Sequence, residues 1–195
     1  MLKIKIDFLS LFKKGTKKLQ DDFGIHLICG YMGSGKTWYS IYLMEKQKNL
    51  KIFTNIKSYR SKRNTVIYFD SLDEIYNNIE DNCVFLIDEL SKRFTKDSKI
   101  DKSFYSWLQQ SRKHNRYVYM IMQEYIMVPQ WLRGVATTIY TTSKVPLLPL
   151  FKTTLGYPVL NENYEWDISP FLVIFYKRSQ DISNCYDTLE SINNL

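Results

Sequence analysis

The sequence predicts an α/β fold, a mostly parallel sheet with helices packed on both faces, and three observations carry that prediction. Short apolar runs recur from Ile25 onward, at Ile25 to Cys29, Lys51 to Thr54, Val66 to Phe69, Val84 to Ile87, Tyr117 to Met122 and Thr138 to Thr142, with helical patterns between several of them. The first run leads directly into Gly30-Tyr31-Met32-Gly33-Ser34-Gly35-Lys36-Thr37. The fourth ends in two adjacent carboxylates, Asp88 and Glu89.

In chain order, residues 1–24 alternate at first, Leu2-Lys3-Ile4-Lys5-Ile6, and then turn basic from Lys13 to Lys18; they read as a basic arm ahead of the core. The core spans 25–145. Within it, Thr37 to Lys48 is a predicted helix, and Phe104, Trp107, Leu108 and Ser111 repeat at helical spacing so that one apolar stripe faces the sheet. A short helix is expected around Gln130 to Arg133. After Val145 the prolines Pro146, Pro149, Pro158 and Pro170 break the pattern, and one further apolar strand, Leu172 to Tyr176, is expected. Residues 146–195 therefore read as an appendage packed on the core, with no recognisable chemistry of their own.

Composition narrows the function classes. The 195 residues are 45% hydrophobic and 24% charged, which excludes a disordered tail and allows one compact core. The longest apolar runs fall far short of the roughly 20 residues that a membrane helix needs, and the N-terminus lacks the features of a secretory leader. Cys29, Cys83 and Cys185 form no CxxC pair, and His26 and His114 lie far apart, so neither a disulfide framework nor a structural zinc is expected. With 27 Lys+Arg against 20 Asp+Glu the net charge is +7, which suits a polyanionic partner without choosing among polyanions.

The chemistry concentrates in three places. Residues Gly30 to Thr37 satisfy G-x-x-x-x-G-K-[ST] between a predicted strand and a predicted helix, the context a P-loop requires. Gly30, Gly33 and Gly35, with Ser34 between them, let successive backbone N–H groups turn toward a phosphate; Lys36 would bridge the β- and γ-phosphates and the Thr37 hydroxyl would ligate Mg2+. Next, Val84-Phe85-Leu86-Ile87 running into Asp88-Glu89 fits a Walker B strand, with Asp88 holding Mg2+ and Glu89 orienting an attacking water. A water-activating Glu favours hydrolysis over transfer to a bound hydroxyl. Finally, Gln123 ends another core strand, either as a sensor of the γ-phosphate or as an ordinary strand-end amide. Arg133 is either an arginine finger reaching a neighbouring subunit's nucleotide or a surface residue of a short helix. The cations of Ser111 to Arg116 are either a site or a plain helix C-terminus, where positive charge complements the macrodipole.

Taken in order, these motifs resemble the Zot-like branch of the FtsK–HerA superfamily of P-loop ATPases, over about Ile25 to Val145. The resemblance implies a RecA-like P-loop NTPase core, ATP and Mg2+ as cofactors, and an ATP-driven motor working as a ring of subunits, expected to be hexameric. It implies that Lys36, Thr37, Asp88, Glu89 and Gln123 serve the nucleotide and that Arg133 acts in trans. Phage members commonly carry a membrane span after the ATPase region, and this sequence shows none, so DNA packaging into a capsid is expected ahead of phage extrusion. The implied partners are DNA, bound without sequence specificity, and a capsid vertex or membrane assembly complex, in the host cytoplasm or at the inner face of its membrane. Lys57, Arg60, Lys62 and Arg63, with Tyr59 interleaved, form the candidate DNA-binding loop. Two rival readings stand: a deoxynucleoside kinase, since compact thymidine kinases share a Met-containing P-loop and an Ile-Asp-Glu box but add a zinc site of cysteine pairs; and a non-motor regulatory P-loop protein with its basic arm on anionic lipid.

Overall fold

The computed structural model describes residues 3–6, 23–76 and 80–187. Its sheet has nine strands among the described residues: β1 (Lys3–Ile6), β2 (Gly24–Cys29), β3 (Lys51–Thr54), β4 (Thr65–Tyr68), β5 (Val84–Ile87), β6 (Tyr117–Ile121), β7 (Thr138–Lys144), β8 (Phe151–Leu160) and β9 (Trp166–Tyr176), in the spatial order β1-β9-β8-β7-β2-β6-β5-β3-β4. All pairs from β7 to β4 are parallel. Every expected strand of the core is present, because a parallel sheet covered on both faces writes itself as short, nearly unbroken apolar runs.

The alternation along each strand divides the core in two. Leu27, Phe85, Val118 and Met120 face a layer that holds α2 (Leu72–Tyr76), α3 (Lys102–Gln109) and α4 (Gln130–Val135). Ile28, Leu86, Tyr119 and Ile121 face α1 (Lys36–Lys46) on the other side, where α5 (Gln180–Ser183) also lies. The stripe read from the sequence is the buried face of α3, whose Phe104, Trp107 and Leu108 are all buried; Asp101 caps that helix by accepting a bond from the Phe104 N–H at 3.1 Å.

Beyond β7 the pattern changes. β8 and β9 form a long antiparallel hairpin that continues the core sheet, and β1 adds to its outer edge in parallel with β9, so the opening of the arm is a strand. The basic stretch Lys13 to Lys18 lies outside the described residues. β8 was illegible in the sequence because Gly156 and Pro158 interrupt it. Both have a place: at Gly156 the register shifts and an added Cβ would lie 2.8 Å from the Ser169 carbonyl, while Pro158 lies past the last residue that pairs with β7.

Candidate functional site

The P-loop follows β2 and is fixed at its start and along its flank. The Gly30 N–H donates to the Gln123 carbonyl at 2.5 Å, tying the loop to the end of β6. The Thr142 hydroxyl, buried in β7, donates to the Cys29 carbonyl at 3.2 Å and accepts from Ser34 Oγ at 2.8 Å. A Cβ at Gly30 would fall 2.5 Å from both Ser34 Oγ and the Thr142 carbonyl, so only glycine fits. Ser34 thus supports the loop with its side chain. Gly35, at φ 96°, stands at the N-terminus of α1, whose first turn carries no acidic side chain. Its free N–H groups and partial positive charge are left for an anion. Lys36 Nζ donates to the Gly30 and Tyr31 carbonyls at 2.8 and 3.0 Å, and burial pulls its pKa down while Asp88 opposes that shift.

Opposite lies the end of β5. Asn55, at the end of β3, exchanges two bonds with the Asp88 backbone, accepting its N–H at 2.8 Å and donating to its carbonyl at 3.0 Å. The Asp88 side chain accepts from the Thr37 hydroxyl at 3.3 Å and from the Glu89 N–H at 2.7 Å. Burial nevertheless raises its pKa to about 6, because these neutral donors compensate only part of the lost hydration. Glu89 has left-handed backbone at φ 56°, a conformation costing on the order of 1–3 kcal/mol for a non-glycine residue, and its carboxylate pairs with Lys92 at 2.6 Å.

Between these two walls is an open cleft of about 470 Å3 lined by Lys36, Thr37, Asn55, Asp88, Glu89 and, from after β9, Arg178. Sequence reasoning missed Asn55 and Arg178. Asn55 carried the same signal as Gln123, a polar residue ending a core strand; Arg178 carried none, because the hairpin that delivers it was not foreseen.

The remaining expected residues stand elsewhere. Gln123 reaches the P-loop through its backbone; its side chain is exposed and does not line the cleft. Arg133 is not a surface residue: it is 8% exposed, its guanidinium donates to the Val128 and Ile126 carbonyls at 2.8 and 2.7 Å and lies over the Tyr125 ring. Those bonds secure the turn before α4 and tie the guanidinium to its own chain. Lys57 borders the cleft and pairs with Asp70 at 2.6 Å. Arg60 bonds the Lys57 and Tyr59 carbonyls and the Tyr68 hydroxyl, Arg63 donates to the Glu45 carbonyl at 3.3 Å, and Lys62 is exposed. Tyr59 is buried, its hydroxyl donating to Glu45 Oε1 at 2.7 Å, so it offers no ring to a base. Arg116 is likewise buried, donating from Nε to the Glu80 carbonyl at 2.8 Å. Cys29, Cys83 and Cys185 are buried free thiols, and no helix among the described residues is long and apolar enough to cross a membrane.

No family model matches the sequence, and no curated protein matches it. Solved structures do match the fold. The N-terminal domain of zonular occludens toxin from Neisseria meningitidis aligns over 85% of this chain and 100% of its own, at 19% identity and a TM-score of 0.60. The genome packaging NTPase B204 from Sulfolobus turreted icosahedral virus 2, in complex with ATP-gammaS, aligns over 75% of this chain and 96% of its own, at 14% identity and a TM-score of 0.53. The RadB recombinase aligns over 80% and 89%, at 13% identity and a TM-score of 0.53. At these identities the likeness is one of fold: the chain has the RecA-like P-loop NTPase fold, and the solved proteins that share it include the Zot-like and packaging types its motifs resemble.

Proposed function

We propose that the protein hydrolyses ATP with Mg2+ and uses the energy to move DNA, most plainly as a packaging motor that drives a viral genome into a capsid. The observation that carries the hydrolytic half is the meeting of Lys36, the Thr37 hydroxyl and the half-buried Asp88 carboxylate at one end of a cleft, with Glu89 beside them. Asp88 and Thr37 are hard oxygen donors, and a half-buried carboxylate whose lost hydration its neutral donors only partly replace fits a site made for a divalent cation. When bound, Mg2+ neutralises charge on the phosphate oxygens. Lys36 leaves its two carbonyl partners for the phosphates, the α1 N-terminus stabilises the negative charge, and Glu89 exchanges Lys92 for the water it orients. The Arg133 bonds to its own chain support a structural role for that residue and favour another residue as any finger supplied in trans.

The motor half is supported by the fold shared with a genome packaging NTPase and by the net charge of +7. On this reading the protein works as a ring, docked at a capsid vertex or at a membrane assembly complex on the cytoplasmic face. The test is steady-state ATP hydrolysis with and without double- and single-stranded DNA at low and moderate salt, with thymidine as a parallel acceptor. Stimulation by DNA that fades with salt is the expected result. Hydrolysis indifferent to DNA removes the motor, and phosphate appearing on thymidine makes the protein a kinase.

A further inference from the structure

Arg178 stands apart from the other cations around the cleft. Lys57 and Lys92 are paired with carboxylates, and Lys36 is bonded to backbone carbonyls. Arg178 makes no ion pair among the described residues, and its Nε is buried without a hydrogen-bond partner. Its guanidinium lies over the Phe151 ring, 4.1 Å from the centroid, which fixes the plane of the group. Its terminal nitrogen comes within 2.8 Å of the point where a Cβ would stand on Gly35, the residue that opens α1. A planar cation with unspent donors is thus held against the P-loop glycine, in the wall of the cleft.

Burying a guanidinium donor unpaired is costly, and the cost is recovered when an anion with several acceptor oxygens takes it together with the terminal nitrogens beside it. We infer that Arg178 is a phosphate ligand acting in cis: the β8–β9 hairpin, through Phe151 and Arg178, supplies a second cationic wall that grips the phosphate chain of a nucleoside di- or triphosphate opposite Lys36. This rests on the nucleotide reading of the cleft and assigns a phosphate contact to this chain's own C-terminal part.

The experiment is calorimetric titration of the full chain with ADP and with a non-hydrolysable ATP analogue, for the wild type, Arg178→Gln, Arg178→Lys and Lys36→Ala, with the unfolding midpoint of each nucleotide-free protein measured beside it. Arg178→Gln is expected to weaken both ligands about tenfold or more, Arg178→Lys to recover part of that loss by keeping the charge without the planar fork, and the nucleotide-free midpoints to stay together. Wild-type affinity in Arg178→Gln, with Lys36→Ala weakened, overturns the role of Arg178 and leaves the P-loop reading intact. Equal weakness in the Gln and Lys variants accompanied by a lowered nucleotide-free midpoint makes Arg178 a packing residue and also overturns the inference. Lys36→Ala binding as tightly as wild type fails the nucleotide reading itself, and the role of Arg178 falls with it.

Discussion

The two walls of the cleft are built differently. The P-loop is held by buried bonds from β6 and β7, with Ser34 and Thr142 locked together and Gly30 fixed to the Gln123 carbonyl. The end of β5 is firm only as far as Asp88, which Asn55 secures; one residue later, Glu89 has left-handed backbone and an exposed ion pair with Lys92. On the proposed reading, phosphate binding is thereby preorganised, whereas the carboxylate assigned to hydrolysis is parked on a weak partner. Binding and turnover are consequently expected to respond to different residues.

The largest expected effect separates the two outright. Glu89→Gln lowers ATP turnover by a factor of about 100 or more while ADP affinity stays within a few-fold, read by steady-state hydrolysis and calorimetry; a parallel loss of both would merge the walls into one unit. On the other wall, Lys36→Ala weakens nucleotide binding by roughly tenfold to a hundredfold, the worth of a charge-assisted bond. Arg133→Ala lowers the unfolding free energy by roughly 3 kcal/mol, since two carbonyls lose a buried cationic donor, and mixing it with Lys36→Ala subunits gives no rescue of hydrolysis. Recovered activity in the mixture would restore the trans role. Thr142→Val leaves Ser34 Oγ and the Cys29 carbonyl without their partner and costs about 1–2 kcal/mol in chemical denaturation, with nucleotide affinity falling alongside as the loop loosens. Smallest is Lys92→Ala: an exposed pair is worth at most about 1 kcal/mol, so turnover changes by less than about fivefold, and it rises if release of Glu89 limits the rate.

What could be read from the sequence follows the same division. The P-loop, Asp88 and the parallel strands were legible because each depends on local pattern: glycines at fixed spacing, and apolar runs that must be buried on both sides. Arg133 was only half legible, because spacing shows a cation on a short helix but not the two carbonyls that the preceding turn brings beneath it. Tyr59 was misread likewise, since nothing local announces that Glu45 in α1 will accept from its hydroxyl. Arg178 depends on a hairpin whose first strand is disguised by a glycine and a proline. Residues whose role is settled by a distant partner leave little trace near themselves.

The parallel pairing of β1 with β9 has a consequence for how the molecule comes to exist. Lys3–Ile6 takes its place beside Leu172–Phe175, so the first described strand must wait for the last before it has an edge to join. The core from β2 to β7 can close before then. Contacts of such sequence separation are the slow ones in folding. The β1–β9 edge is therefore expected to set late, and a ligand held by both the P-loop and the hairpin, as inferred for nucleotide, would favour the closed arrangement by mass action.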